Sequence, residues 1–354
     1  MTDNASIVAE SATRIFADLA DPQSINRAKD GAWKAPLWQT LSDAGLTLAW
    51  VPEALGGSDA GLGEGFEVIG VAGRFAAPVP IVETLLAGWL LSQGGIGSPE
   101  GAMTLAPVRL ADTLALDANG RLSGRARSVP FAQEAAHIAV LAVGAAGASI
   151  ALAATKDCRV TPGLNPAGDA TNDVTFADTP TIAWRPAPAG FDRTAMMLMG
   201  SAARSMQTAG ALDAVLRMSV AYANERVAFE RPIAKFQAIQ HSLAQLAGEA
   251  AAAVAAAGSA ADAIAHASSF DDAVFLEAAS AKIRCAEAAE KGAAIAHQVH
   301  GAIGFTNEHI LHRFTLRMLA WRDDFGNESQ WAVQLGRKVA AAGADAFWPL
   351  LASR

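Results

Sequence analysis

The chain has 354 residues, 52% hydrophobic and 18% charged, with a net charge of −8 at pH 7. That is ample material for a buried core, and it lacks the basic excess that nucleic-acid binding requires. No apolar run reaches the roughly 18 residues needed to span a bilayer. The opening MTDNASIVAESATRIF lacks a basic stretch followed by an apolar one, so no secretion signal is expected. The two cysteines, Cys158 and Cys285, are too few and too distant for a disulfide framework or a zinc site. These features predict a cytoplasmic, globular protein of two or three domains, with no nucleic-acid partner and no membrane span.

The first third reads as helical. In SIVAESATRIFADLA, residues Ile7, Ala12, Ile15, Phe16 and Leu19 fall near helical spacing. PLWQTLSDAGL predicts a short helix with Pro36 in its first turn and Gly45 as its stop. VPEALGGSDAGLGE is a loop punctuated by Pro52 and Gly56–Gly57, and EGFEVIGVAGRFAA and VETLLAGWLLSQGG are further helices.

The texture changes near Thr104. Asn119–Gly120 is a hairpin turn signal between β-compatible runs. HIAVLAVGAAGASIALAAT places two apolar runs around a glycine-bearing turn. The following stretch, to about residue 190, is rich in Pro, Gly, Asp and Thr. From Phe191 the chain is helical again. One long helix ends near Arg226. A second carries Ile239, Leu243, Leu246 and Ala250 on one face. A third opens with Ser269 and Asp272 in a capping-box arrangement and stops at Gly301. The predicted class is therefore multidomain α+β: an N-terminal helical domain (1–104), a middle β domain (105–190) and a C-terminal helical bundle (191–354).

Three stretches carry candidate chemistry. RVAFERPIAKFQAIQ, from Arg226 to Gln240, sets arginines, two phenylalanines and amides around Pro232. Its plain interpretation is a cation at a helix C-terminus with Phe229 and Phe236 in the core. The competing one is a phosphate site: Arg226 grips a diphosphate, Phe229 lies against a flat ring, and Gln237 reaches a nucleotide edge. QVHGAIGFTNEHILHRF holds Gln298 and two glycines, Gly301 and Gly304, that permit close backbone approach to a ligand. Its histidines, His297, His300, His309 and His312, lack the H-E-x-x-H pattern and straddle a glycine turn, so no metal site is expected. WRDDFGNESQW sets Asp323, Asp324 and Glu328 beside aromatic rings, where a carboxylate can serve as a base or simply cap a helix.

Together these stretches resemble the acyl-CoA dehydrogenase family. LWQTLSDAGLTLAWVPEALGG is similar to its N-terminal W..L...G…PE..GG segment, and ANGRLSGRARSV to part of its β domain. ANERVAFERPIAKFQAIQHSLAQLA resembles R..FG.PI..FQ.IQ..LA, and QVHGAIGFTNE resembles Q..GG.G(Y/F)..E. The resemblance implies an N-terminal helical domain, a β-barrel-like middle domain and a C-terminal four-helix bundle, with FAD between the last two. It implies that Arg226, Phe229 and Gln237, with Gln298, Gly301 and Gly304, contact the FAD of a neighbouring subunit. The implied reaction is α,β-dehydrogenation of an acyl-CoA thioester, in which a carboxylate removes the α proton and flavin accepts hydride. An electron-transfer flavoprotein is the implied electron acceptor.

The chain departs from that pattern at three places. Glu230 stands where the family has glycine, and TLAPVR lacks the acid of the family's flavin-facing loop. The family's base position, about 27 residues after the motif glutamine, falls on Phe325. Asp324 is the first candidate base, with Asp323 and Glu328 in reserve. The alternatives are a non-catalytic subunit that contributes half of an FAD site to a catalytic paralogue, and a flavoprotein of the same fold with other chemistry, such as nitroalkane oxidation. Homodimer, homotetramer and heterotetramer are all compatible with the resemblance. So are bulky substrates such as sterol side-chain thioesters.

Overall fold

The computed structural model describes residues 6–28, 30–145 and 147–352. Five helices come first: α1 (Ile7–Leu19), α2 (Pro22–Arg27), α3 (Lys34–Asp43), α4 (Leu62–Phe75) and α5 (Ile81–Gln93). Ser6 caps α1 by accepting from the Ala9 amide at 3.2 Å, and Asp21 caps α2 from Ser24 at 2.9 Å. α5 is apolar almost all round, and every residue from Ile81 to Leu91 is buried, including Glu83. Such a helix belongs at the centre of a fold.

The strands follow: β1 (Met103–Ala106), β2 (Leu114–Leu116), β3 (Arg121–Pro130), β4 (His137–Gly144), β5 (Gly147–Ala154), β6 (Arg159–Thr161) and β7 (Thr171–Pro186). β2 and β3 pair antiparallel, Leu114 opposite Gly124, around the turn that holds Asn119–Gly120. β3 pairs with the first part of β7, β7 with β5, β5 with β4, and β4 with β2, which closes the sheet into a barrel. Val129, Ile138, Val140, Val174 and Phe176 fill it. Closure leaves few free edges, and the 16-residue β7 turns the corner.

The remaining chain is helical apart from a small hairpin. α6 (Arg193–Glu225) is followed by β8 (Val227–Ala228) and β9 (Arg231–Pro232). Then come α7 (Gln237–His266), α8 (Asp272–His300), α9 (Leu311–Trp321), α10 (Glu328–Ala342) and α11 (Ala344–Ala352). Asp192 caps α6 through the Ala195 amide. The cap of α8 is Asp271, which accepts from Ala273 and Val274, so the helix starts later than the Ser269–Asp272 pattern suggests. Asp271 accepts from amides two and three residues on, whereas Ser269 lies outside that reach.

Alanines bring α7 and α8 close, with Leu246, Ala250, Ala253 and Ala257 facing Cys285, Ala288 and Ala289 in one core. α4 meets α6 still more tightly. A Cβ on Gly73 would lie 2.0 Å from the Gln207 carbonyl oxygen, and one on Gly210 would lie 2.0 Å from that of Gly70. This crossing requires glycine and presses α6 against the N-terminal helices. None of the described helices is long and apolar enough to cross a membrane.

Candidate functional site

α6 ends where Arg226 leaves the helical conformation, its amide still bound to the Tyr222 carbonyl at 2.8 Å. β8 and β9 then form a minimal hairpin with Phe229 and Glu230 at the turn, at φ of 51° and 66°. Two consecutive non-glycine residues in the left-handed region are costly, and this twist is the one a two-residue hairpin needs. Glu230 thus keeps the backbone shape expected of the glycine it replaces. Phe229 is 89% exposed and packs edge to face with Phe236, whose ring also carries the Arg231 guanidinium 4.3 Å from its centroid. Phe229 is therefore not a core residue. Arg226, Lys235 and Gln237 are exposed, with no side-chain partner among the described residues.

α6, α7 and α8 pack on one another, and the end of α6 meets the end of α8. Tyr222 joins them: its ring stacks on His300 at 4.5 Å and its hydroxyl donates to the His300 carbonyl at 3.2 Å. Gln298 and Gly301 are exposed at this end, Gly301 with φ 63°. Gly304 is buried, and a Cβ there would lie 3.0 Å from that of His300. Phe305 is 74% exposed and stacks on His297.

The histidines turn inward. His297 bonds Thr315 at 2.9 Å, His300 the Ala296 carbonyl at 2.7 Å, and His312 the His309 carbonyl at 2.7 Å. Burial holds His297, His300 and His309 below the ordinary histidine range, which disfavours the charged form of these three rings.

The three acids of WRDDFGNESQW have separate environments. Asp324 is 5% exposed. Its carboxylate accepts from Arg204 Nε at 3.0 Å, and Arg204 also holds the Glu83 carboxylate and donates to Gln207 at 2.6 Å. Lys282, 2% exposed, donates to the carbonyls of Trp321 and Asp324, both at 2.8 Å. Burial pushes its pKa down to about 7, against the opposing pull of Asp324. Burial pushes the Glu83 carboxyl up, with Arg204 pulling the other way. α5, α6, α8 and the turn after α9 thus meet in one internal cluster of four ionisable groups.

Glu328 opens α10 and pairs with Arg322. Burial would raise its pKa, but the hydrogen bond and charge of Arg322 win and hold it below the ordinary carboxylate range. Asp323 is exposed, and its carbonyl accepts from Arg109 at 2.6 Å. Phe325 is 1% exposed, with φ 57°. It packs where Gly200 of α6 leaves room, since a Cβ there would meet the ring at 2.3 Å.

A cleft of ≈ 240 Å³ separates the barrel from this turn. Arg109, Leu110, Ala111, Arg127 and Ser128 line one side, and Asp323, Gly326, Asn327 and Gln330 the other. The Arg109–Asp323 bond crosses it, Arg127 is tied to Asp112 at 2.7 Å, and no aromatic ring lines it. The hairpin end and this cleft therefore differ in how well they suit FAD. Arg226, Arg231, Lys235 and Gln237, beside the exposed rings of Phe229 and Phe305, have the donor chemistry for a diphosphate and adenosine. The cleft, bridged by Arg109 and without an aromatic platform, is a poor fit for an isoalloxazine ring.

Sequence reasoning missed Glu83, Arg204 and Lys282. A signal existed, because Glu83 is the only charged residue in α5 and a lone acid in an apolar helix requires a buried partner.

Residues 189–328 match the family described as acyl-CoA dehydrogenase, C-terminal domain. The chain is 28% identical over 346 residues to acyl-CoA dehydrogenase FadE27 of Mycobacterium tuberculosis (strain ATCC 25618 / H37Rv), covering 86% of this chain and 88% of that protein. Its fold matches a chain in the crystal structure of the ChsE4–ChsE5 complex from Mycobacterium tuberculosis, with TM-score 0.84 and 23% identity over 97% of this chain and 100% of that one. It also matches a variant of the Tcur3481–Tcur3483 steroid ACAD, with TM-score 0.80 and 25% identity over 95% and 97% of the two chains. Helical ends around a β barrel, the Arg226–Gln240 hairpin and the Gln298–Gly304 turn agree with these similarities: residues 189–328 match the acyl-CoA dehydrogenase C-terminal domain, and the chain as a whole has the acyl-CoA dehydrogenase fold.

Proposed function

We propose that this chain is the cofactor-sharing, non-catalytic half of a two-chain acyl-CoA dehydrogenase that converts an acyl-CoA thioester to its trans-2-enoyl product. The observation that carries this is the state of Asp324. A base must approach the α carbon of its substrate with a free carboxylate. The Asp324 carboxylate is buried and bonded to Arg204, which is itself held by Glu83. The neighbouring Phe325 offers no acid and fills the space beside Gly200. Glu328 is occupied by Arg322.

Arg226 and Gln237 would hold the diphosphate and adenosine of FAD seated mainly in the partner, with Phe229, Gln298 and Gly301 closing over it and buried Gly304 letting the turn pack on His300. FAD, when bound, supplies the acceptor for the hydride leaving the β carbon. The partner supplies the base, and an electron-transfer flavoprotein takes the electrons onward. The ChsE4–ChsE5 complex and the Tcur3481–Tcur3483 steroid ACAD support the two-chain form, and the latter suggests a bulky, ring-bearing acyl group. We place this assembly in the cytoplasm.

One feature favours a second interpretation. Asp323 is exposed on the cleft wall, so a self-sufficient enzyme would use it as the base.

The test compares the chain purified alone with the chain co-expressed with a paralogue. The expected result is a colourless lone chain, and a yellow complex that a panel of acyl-CoAs bleaches anaerobically. A lone chain that is yellow, is bleached, and loses bleaching on Asp323→Asn would overturn the proposal in favour of the self-sufficient enzyme.

A further inference from the structure

A second cavity, of ≈ 250 Å³, lies away from the cleft and the hairpin, between the end of α5, the linker into α6 and the α7–α8 turn. Trp89, Phe191 and Phe270 form its wall and pack on one another edge to face or tilted, with centroids 5.6, 5.8 and 6.5 Å apart. Leu62, Ile264 and Val274 add aliphatic surface, and no charged side chain lines it.

Polar groups are available there. Trp89 is 4% exposed, and its indole N–H has no acceptor among the described residues. The Gln93 amide makes only two contacts, both at 3.5 Å, the outer limit for a hydrogen bond. Ser268 and Ser269 stand exposed among the lining residues. An aromatic wall with a few unmet polar groups is the composition of a small-molecule site. The volume lies just below the usual range for drug-sized ligands, which begins at about 300 Å³. It therefore has room for one or two rings and excludes a long chain. The absence of charged lining residues excludes a phosphate or carboxylate ligand, whose desolvation nothing here would offset.

We propose that this cavity binds a small neutral molecule of one or two fused rings, with an oxygen that accepts from the Trp89 indole.

The probe is 2-naphthol, titrated into the full-length chain by calorimetry, with 2-naphthoate as the anionic comparison. One saturable site is expected, with 2-naphthoate at least ten-fold weaker. Trp89→Phe keeps an aromatic ring but removes the donor, and weakens binding about ten-fold, as expected for one hydrogen bond of about 1.4 kcal/mol. Ala189→Trp, at an exposed lining position, abolishes binding without disturbing the core. A circular-dichroism melt of each variant confirms that it is folded. The absence of saturable binding, equal affinity for 2-naphthoate, or unchanged affinity in both variants would overturn the proposal.

Discussion

Two regions along α6 are equally rich in charge and amide groups, and they have opposite fates. Near its start, Arg204 sits in the interior with Glu83, Asp324, Gln207 and Lys282, and each finds a partner inside the fold. At its end, Arg226, Lys235 and Gln237 stand in solvent without side-chain partners among the described residues, beside a hairpin turn in a strained conformation. Residue type does not separate the two regions; satisfaction does. A charge removed from water must be matched inside the fold, and once matched it serves the fold. A set left unmatched and held in a costly backbone shape is ready for a ligand from outside.

The sharpest way to break this contrast is Arg204→Met. Removing the cation leaves Glu83 and Asp324 buried without it, and we expect a loss of about 3–5 kcal/mol in urea denaturation. An unchanged midpoint would deny the cluster its structural role. Arg226→Met should do the reverse. Stability should stay within about 0.5 kcal/mol. FAD affinity of the assembled complex should fall about ten- to hundred-fold, corresponding to one charge-assisted contact of about 1.5–3 kcal/mol. Flavin fluorescence titration measures it.

Lys282 sharpens the comparison through pH. Its folded pKa of about 7 lies below the unfolded value of about 10.4. Between these values the folded state has lost a proton that the unfolded state keeps, so stability rises with pH across that window. The slope from this group approaches about 1.4 kcal/mol per pH unit, and Lys282→Met should flatten it. The neutral amine still has two hydrogens for the carbonyls of Trp321 and Asp324. The smallest effect is expected from Glu230→Gly. Relief of the left-handed strain, less the added chain entropy of glycine, should stabilise the protein by about 0.5–1 kcal/mol.

Much of this was legible in the sequence where the signal is local. The Asn119–Gly120 turn does sit between paired strands, and α6 ends at Glu225 beside Arg226. The hairpin motif carried the family resemblance because its residues are contiguous. The interior cluster was not legible, because its directly bonded partners lie as many as 121 positions apart and meet only through tertiary packing. The three acids after Trp321 look alike in sequence. Only the fold separates a buried Asp324 from an exposed Asp323 and a paired Glu328. Ile239 and Leu243 share the predicted face with Leu246, yet they are only half-buried, because they lie at the open end of the bundle beside the hairpin.

The glycine crossing of α4 and α6 has a consequence for how the molecule can be divided. One continuous core runs from Ala9 through α5 to Ala278 and Trp331, so the two helical regions are a single body interrupted by the barrel. A fragment starting at residue 193 would carry a bare glycine-notched surface along α6. Met103, Leu105, Ala139, Leu141, Ile150 and Leu152 of the barrel belong to that same core, so a dissection that keeps the fold has to keep helices and barrel together.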